Sequence, residues 1–193
     1  MLYEILGRIA LPPENEIPGD DDVVDGTLNQ WTIPGTQISI RRIEKGPRAG
    51  EFLFSAWTVQ RLHRFYRMIK HLPYQPDAIP GVYAIDLRSK DSITNLERAV
   101  RNRLKPVDTS SPRATLDGFL DSVNRAYALV METNAALRAG APGMTREEAR
   151  DIEVRAQNLM IRAQAALDLS NVPEAIRDDV GIESVLQLKE IID

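Results

Sequence analysis

The sequence predicts a helix-dominated α+β fold: a helical bundle packed on a small antiparallel β-hairpin or meander. Three observations predict it. Between Trp31 and Phe54, apolar residues alternate with polar ones at the period of a half-buried strand. In residues 56–71 and again from residue 92 onward, they recur every three or four residues, the period of an amphipathic helix. Glycine, proline and capping residues punctuate these stretches, and the short connections favour antiparallel neighbours.

Each element follows in order. Leu2, Ile5, Leu6 and Ile9 predict a short helix that Pro12 and Pro13 end. Residues 14–30 are acidic, carry Gly and Pro, and read as an exposed loop. Trp31 and Ile33, then Ile38 and Ile40, then Phe52 and Phe54 mark strands, with Pro34-Gly35 and KGPRAG as turns. Only one face of this ribbon reads as apolar, so helices are expected to roof it. Ser55 is an N-cap for a helix over 56–71, with Val59, Leu62, Phe65, Tyr66 and Ile69 inward. Residues 73–91 read as loop with a possible short strand at Val82–Leu87, and 92–104 as a helix. Pro106 to Pro112 form a linker, Ser110-Ser111-Pro112 caps a long helix over 113–138, and Gly140 to Gly143 break it. Thr145 with Glu148 is a capping box for a helix that runs to about Leu169, whose alanines permit close helix packing. A last helical segment begins near Pro173 and is expected to break or bend at Gly181. The whole reads as one domain over 1–193: residues 1–75 hold the short helix, hairpin and basic helix, 76–111 a connector with one helix, and 112–193 a helical hairpin plus a C-terminal helix.

Composition narrows the chemistry. A chain of 193 residues, 43% hydrophobic and 27% charged, can bury a core without disulfides or metals. Cysteine is absent, which removes thiol catalysis, thiolate zinc sites and disulfides. The net charge of −4 argues against a nucleic-acid binder. No stretch approaches the ~20 apolar residues that span a bilayer, and the N-terminal segment is not a secretory signal; the chain reads as a soluble piece of a larger protein. Charge is uneven along the chain. Residues 1–30 are acidic, whereas 31–75 carry Arg41, Arg42, Lys45, Arg48, Arg61, Arg64, Arg67 and Lys70. Either neighbours neutralise one another, or the basic stretch forms a face for an anionic partner such as lipid headgroups.

Candidate reaction centres fall away one by one. His63 and His71 lie eight apart with no acid between them, unlike a zinc-binding helix. Asp20, Asp21, Asp22 and Asp25 lack the alternation and terminal glutamate of a calcium loop. Asp178 and Asp179 are expected near a helix end, an unfavourable place for negative charge. No G-x-S-x-G elbow accompanies Ser110 or Ser111. KGPRAG has Pro47 where a phosphate loop needs a donor, and no Lys-Ser/Thr follows Gly50, so it reads as a turn with Arg48 at its tip. No catalytic, cofactor-binding or metal-binding residue is predicted.

Four segments, WTIPGTQISIRRIEKGPRAGEFLFSAWTV, RFYRMIKHLPY, SPRATLDGFLDSVNRAYALV and LDLSNVPEAIRDDVGIESVLQLKEIID, resemble the extramembranous N-terminal region of a group of bacterial mechanosensitive channels of small conductance. The order differs. In the family the SPRAT-like helices come first, and the LKEIID-like helix runs directly into a segment like RIALPPENEIP. Here that segment is near the start and Leu188–Asp193 is at the end. The chain therefore reads as a circular permutation or as a cut across a repeated unit, and Leu2–Ile9 is expected beside Val185–Asp193. An open arrangement would instead pair the halves with other copies as a swapped dimer.

The resemblance implies a non-enzymatic accessory or assembly domain of such a channel, acting through protein–protein contacts in the periplasm or cell envelope as part of an inner-membrane protein. The alternative location is the cytoplasm. Expected partners are other copies of the chain, the rest of a membrane channel, and anionic headgroups, but no nucleic acid. The residues expected to make contact are Arg48, Arg61, Arg64 and Arg67. A stand-alone peptide- or ligand-binding module, with an exposed sheet edge adding a partner strand, is the alternative.

Overall fold

A computed structural model describes Ile9 and residues 11–73, 107–138 and 145–192. The helix expected at 2–9, the loop and possible strand at 74–91, the helix at 92–104 and the Gly140–Gly143 break lie outside the described residues. The fold is helix-dominated α+β, as expected. Its elements are a short helix α1 (Asp20–Val23), strands β1 (Gln30–Thr32), β2 (Ser39–Arg42) and β3 (Phe52–Phe54), and helices α2 (Ala56–Ile69), α3 (Pro112–Arg138), α4 (Arg146–Gln164) and α5 (Arg177–Ile192).

The strands form an antiparallel meander in the order β1-β2-β3. Trp31 faces Ile40, which faces Phe54 in turn, so the three share one face of the sheet. KGPRAG is the turn between β2 and β3. Gly46 and Gly50 both sit at positive φ (95° and 93°), which a side chain resists, and the Gly50 N–H closes the turn on the Ile43 carbonyl at 2.8 Å.

The expectation of one apolar face is corrected at β3. Phe52, Leu53 and Phe54 are all buried, because helices and returning chain cover both faces. Phe54 meets Phe119 of α3 edge-to-face, with ring centroids 5.3 Å apart. The free edge of β3 is closed by the chain itself. Phe52 N–H donates to Thr109, Phe54 N–H to Ala166, and Asp168 N–H to the Phe54 carbonyl, at 2.8–2.9 Å. This pairing also explains why α4 stops at Gln164 rather than near Leu169: residues 166–168 leave the helix to bond along β3. The strand-addition alternative loses this edge.

The helices obey their caps. The Thr58 N–H bonds the Ser55 hydroxyl at 3.2 Å, and the Ala114 N–H bonds that of Ser111 at 3.3 Å. Thr145 and Glu148 bond reciprocally, 2.7 Å from Thr145 N–H to the carboxylate and 3.1 Å from Glu148 N–H to the hydroxyl. Ala156 and Ala163 are buried in the bundle, where α3 and α4 form the most extensive helix pair.

Three further expectations are corrected. The acidic stretch is not all loop. Asp20–Val23 is a helical turn, with Asp22 accepting the Gly19 N–H at 2.8 Å. α5 runs through Gly181 without a break; a Cβ there would meet the Gln164 side chain of α4, which would have to shift to admit it. Asp178 and Asp179 sit in the first turn of α5, where the helix dipole favours negative charge. From Ser184 to Ile192 every residue of α5 is buried, including Gln187, Lys189 and Glu190, so α5 is the central rod of the bundle. At its far end the Ile9 N–H donates to the Ile191 carbonyl at 3.1 Å and satisfies one of the last orphan acceptors. The expected closeness of the two terminal segments is met at Ile9.

Candidate functional site

The site is the outer face of α2. Its position is set at the N-terminus by a buried hydroxyl cluster. The Ser39 and Ser55 hydroxyls lie 2.9 Å apart, and Ser39 N–H donates to the Thr58 hydroxyl at 3.0 Å, which bolts the helix start to β2. Thr58, Val59, Leu62 and Ile69 are buried, and the helix packs on α5.

The outward face is unusual in two respects. From Ala56 to Pro73 there is no Asp or Glu, while Arg61, Arg64, Arg67 and Lys70 carry positive charge. None of these four forms an ion pair among the described residues. Large apolar side chains stand among them: Trp57 is 42% exposed and Met68 54%. The Arg61 guanidinium lies 4.0 Å from the centre of the Trp57 ring, and Phe65 lies 6.1 Å from the same ring. Trp57, Arg61 and Phe65 are spaced by four, so they stack along one line of the helix.

Arg61, Arg64 and Arg67 are thus brought together on one helix, each step of three turning about 60° around it. Arg48 is not with them. Its guanidinium folds back from the turn: Nε and Nη2 both bond Glu51 Oε2, at 2.9 and 2.5 Å, and Nη2 also donates to the Ala165 carbonyl at 2.7 Å. The Thr109 hydroxyl donates to the same Glu51 oxygen at 3.1 Å. Arg48 is a latch that joins the hairpin to the end of α4.

The acidic arm is also placed. It does not neutralise the basic stretch through any ion pair among the described residues; it docks on the start of α3. Arg113 Nε and Nη2 both donate to the Ile17 carbonyl, at 2.9 and 2.6 Å. Asp20 accepts the Ser110 hydroxyl at 2.8 Å. That bond first, then one from Ser111 and the charge of Arg113, hold the Asp20 carboxyl below its ordinary range. Asp25 accepts both the N–H and the hydroxyl of Thr27 in a local turn.

His63 and His71 are exposed on α2 and its C-terminal end, His63 with Nδ1 3.3 Å from Gln187 Nε2. Among the described residues no group of three His, Asp or Glu is placed to hold a metal ion, and no helix is long and apolar enough to cross a membrane. Sequence reasoning missed Trp57 and Met68 as surface residues. The signal was the four-residue spacing Trp57–Arg61–Phe65, which puts aromatic and cation on one line. No protein-family model matches the chain, and neither does any curated protein or solved structure.

Proposed function

We propose that this chain is a non-enzymatic accessory domain of a membrane channel of the small-conductance mechanosensitive type, working by contact rather than by chemistry. In this reading α2 seats its outer face on anionic lipid headgroups beside the channel, on the periplasmic side of the cell envelope. One observation carries the proposal: a helix with no Asp or Glu of its own, whose cations form no ion pair among the described residues and flank exposed Trp57 and Met68. Cations near an anionic leaflet contribute about 1 kcal/mol each; Arg61, Arg64 and Arg67 span about 120° of the helix and supply about 3 kcal/mol, while Lys70 lies about 180° from Arg61. Tryptophan favours the headgroup level, where its ring is half apolar and half wet. The channel part rests on the sequence resemblance; membrane spans found in the same reading frame would support it, and their absence would remove it.

The test is co-sedimentation with phosphatidylcholine vesicles, with and without phosphatidylglycerol. Binding is expected only with phosphatidylglycerol, weaker at high salt, and lost in the R61E/R64E/R67E variant. In a W31F background, Trp57 emission shifts to the blue on binding. Equal binding to both vesicle types, or an unaffected triple variant, overturns the reading. A lipid-independent oligomer that the triple variant dissolves would assign the face to a second copy instead.

A further inference from the structure

A cavity of about 740 Å³ opens where three distant parts of the chain meet: the Lys45–Arg48 turn, the end of α4 with residues 165–170, and the first turn of α5. That volume lies within the range of small-molecule sites, about 300–1,000 Å³. Leu53, Met160, Ile161, Leu169 and Ile182 give it apolar walls. The ionic groups on the wall differ in what they already hold. Arg48 is committed to Glu51 and Ala165. Asp168 accepts the Ser170 N–H at 3.1 Å. Arg177 also lines the cavity and is lightly held: its Nη2 donates to the Val172 carbonyl at 3.2 Å, while its Nε is shut off from the cavity, so the Nη end is what a ligand can reach. A guanidinium can only donate, so its partner in the cavity must be an acceptor.

We propose that this cavity binds a monocarboxylic amphiphile, with its apolar chain along Leu53, Met160 and Ile182 and its carboxylate on Arg177, assisted by Lys45. The planar two-oxygen head of a carboxylate matches the guanidinium fork. Asp168 and Asp178 on the same wall disfavour a doubly charged phosphate. The site is separate from the outer face of α2 and does not depend on how that face is used.

The probe is dodecanoate, kept below its micellar concentration, titrated into the full chain carrying 13C-methyl methionine. Saturable one-to-one binding is expected by calorimetry, with the Met160 methyl resonance moving and that of exposed Met68 still. Arg177→Met weakens binding about tenfold or more, the worth of one charge-assisted hydrogen bond. Arg177→Lys retains part of it. Dodecan-1-ol, which lacks the carboxylate, binds more weakly and is indifferent to Arg177→Met. Lys45→Met, on the exposed turn, weakens dodecanoate without disturbing the fold and serves as the second variant if Arg177→Met unfolds. The proposal is overturned by any of three results: no saturation, movement of Met68 in place of Met160, or equal dodecanoate affinity in the wild type and a folded Arg177→Met.

Discussion

Replacing Arg48 by methionine separates a latch from a contact residue. The side chain is 38% exposed and its partner Glu51 34%, so solvent screens the ion pair. A pair this exposed is worth about 0.5 kcal/mol. The bond from Nη2 to the Ala165 carbonyl is charge-assisted, and its carbonyl belongs to the turn that ends α4. Such bonds contribute about 1.5 kcal/mol at the lower end of their range, appropriate for a half-exposed donor. Together they give about 2 kcal/mol, a sizeable part of the roughly 5–15 kcal/mol that holds a typical domain. Urea unfolding at constant m-value measures it directly, and for a chain of this length Tm falls by about 4–8 °C. The double variant R48M/E51Q should show positive coupling, because both changes remove one interaction. Vesicle binding should remain as in the wild type. A loss below about 0.3 kcal/mol, within the usual scatter of independent sites, refutes the latch. So does a loss of vesicle binding equal to that of Arg64→Glu.

Two further outcomes test the core and the electrostatics. Phe119→Ala should cost about 3–5 kcal/mol, since it empties the space beneath β3. Its cycle with Phe54→Ala should return about 0.5–1.5 kcal/mol for the edge-to-face pair, measured by the same urea titration. Asp117 has its carboxyl raised above the ordinary 3.8, first by burial and then by the charge of Glu14, with Arg113 opposing. A raised carboxylate disfavours the folded state once ionised. Asp117→Asn should therefore stabilise the protein at neutral pH, and the gain should fade as pH falls through the raised value and vanish below about 3.8, read from thermal melts across that range.

Much of the architecture was legible in local patterns. Ser55, Ser111 and the Thr145–Glu148 pair announced helix starts through short-range hydrogen bonds, which need only a few residues to form. The meander was legible for the same reason, through alternation and turn residues. What escaped depends on segments far apart in the chain. Leu53 looked solvent-facing until α4 returned to cover it, and Gly181 looked like a helix breaker until Gln164 was seen against it. α5 gave no clear stripe because its second half is enclosed on all sides, Lys189 and Glu190 included. The internal bonds of Arg48 were hidden for a like reason: Glu51 is three residues away, but the Ala165 carbonyl is 117 positions distant. The cavity behind the KGPRAG turn left no trace in sequence at all, since its walls come from three separate regions.

The hydrogen bond from Ile9 to Ile191 has a mechanical consequence. Ile9 and Ile191 lie near the two extremes of the described residues, so a pull applied at these two points is borne across the junction between them and not along the length of the sheet and helices.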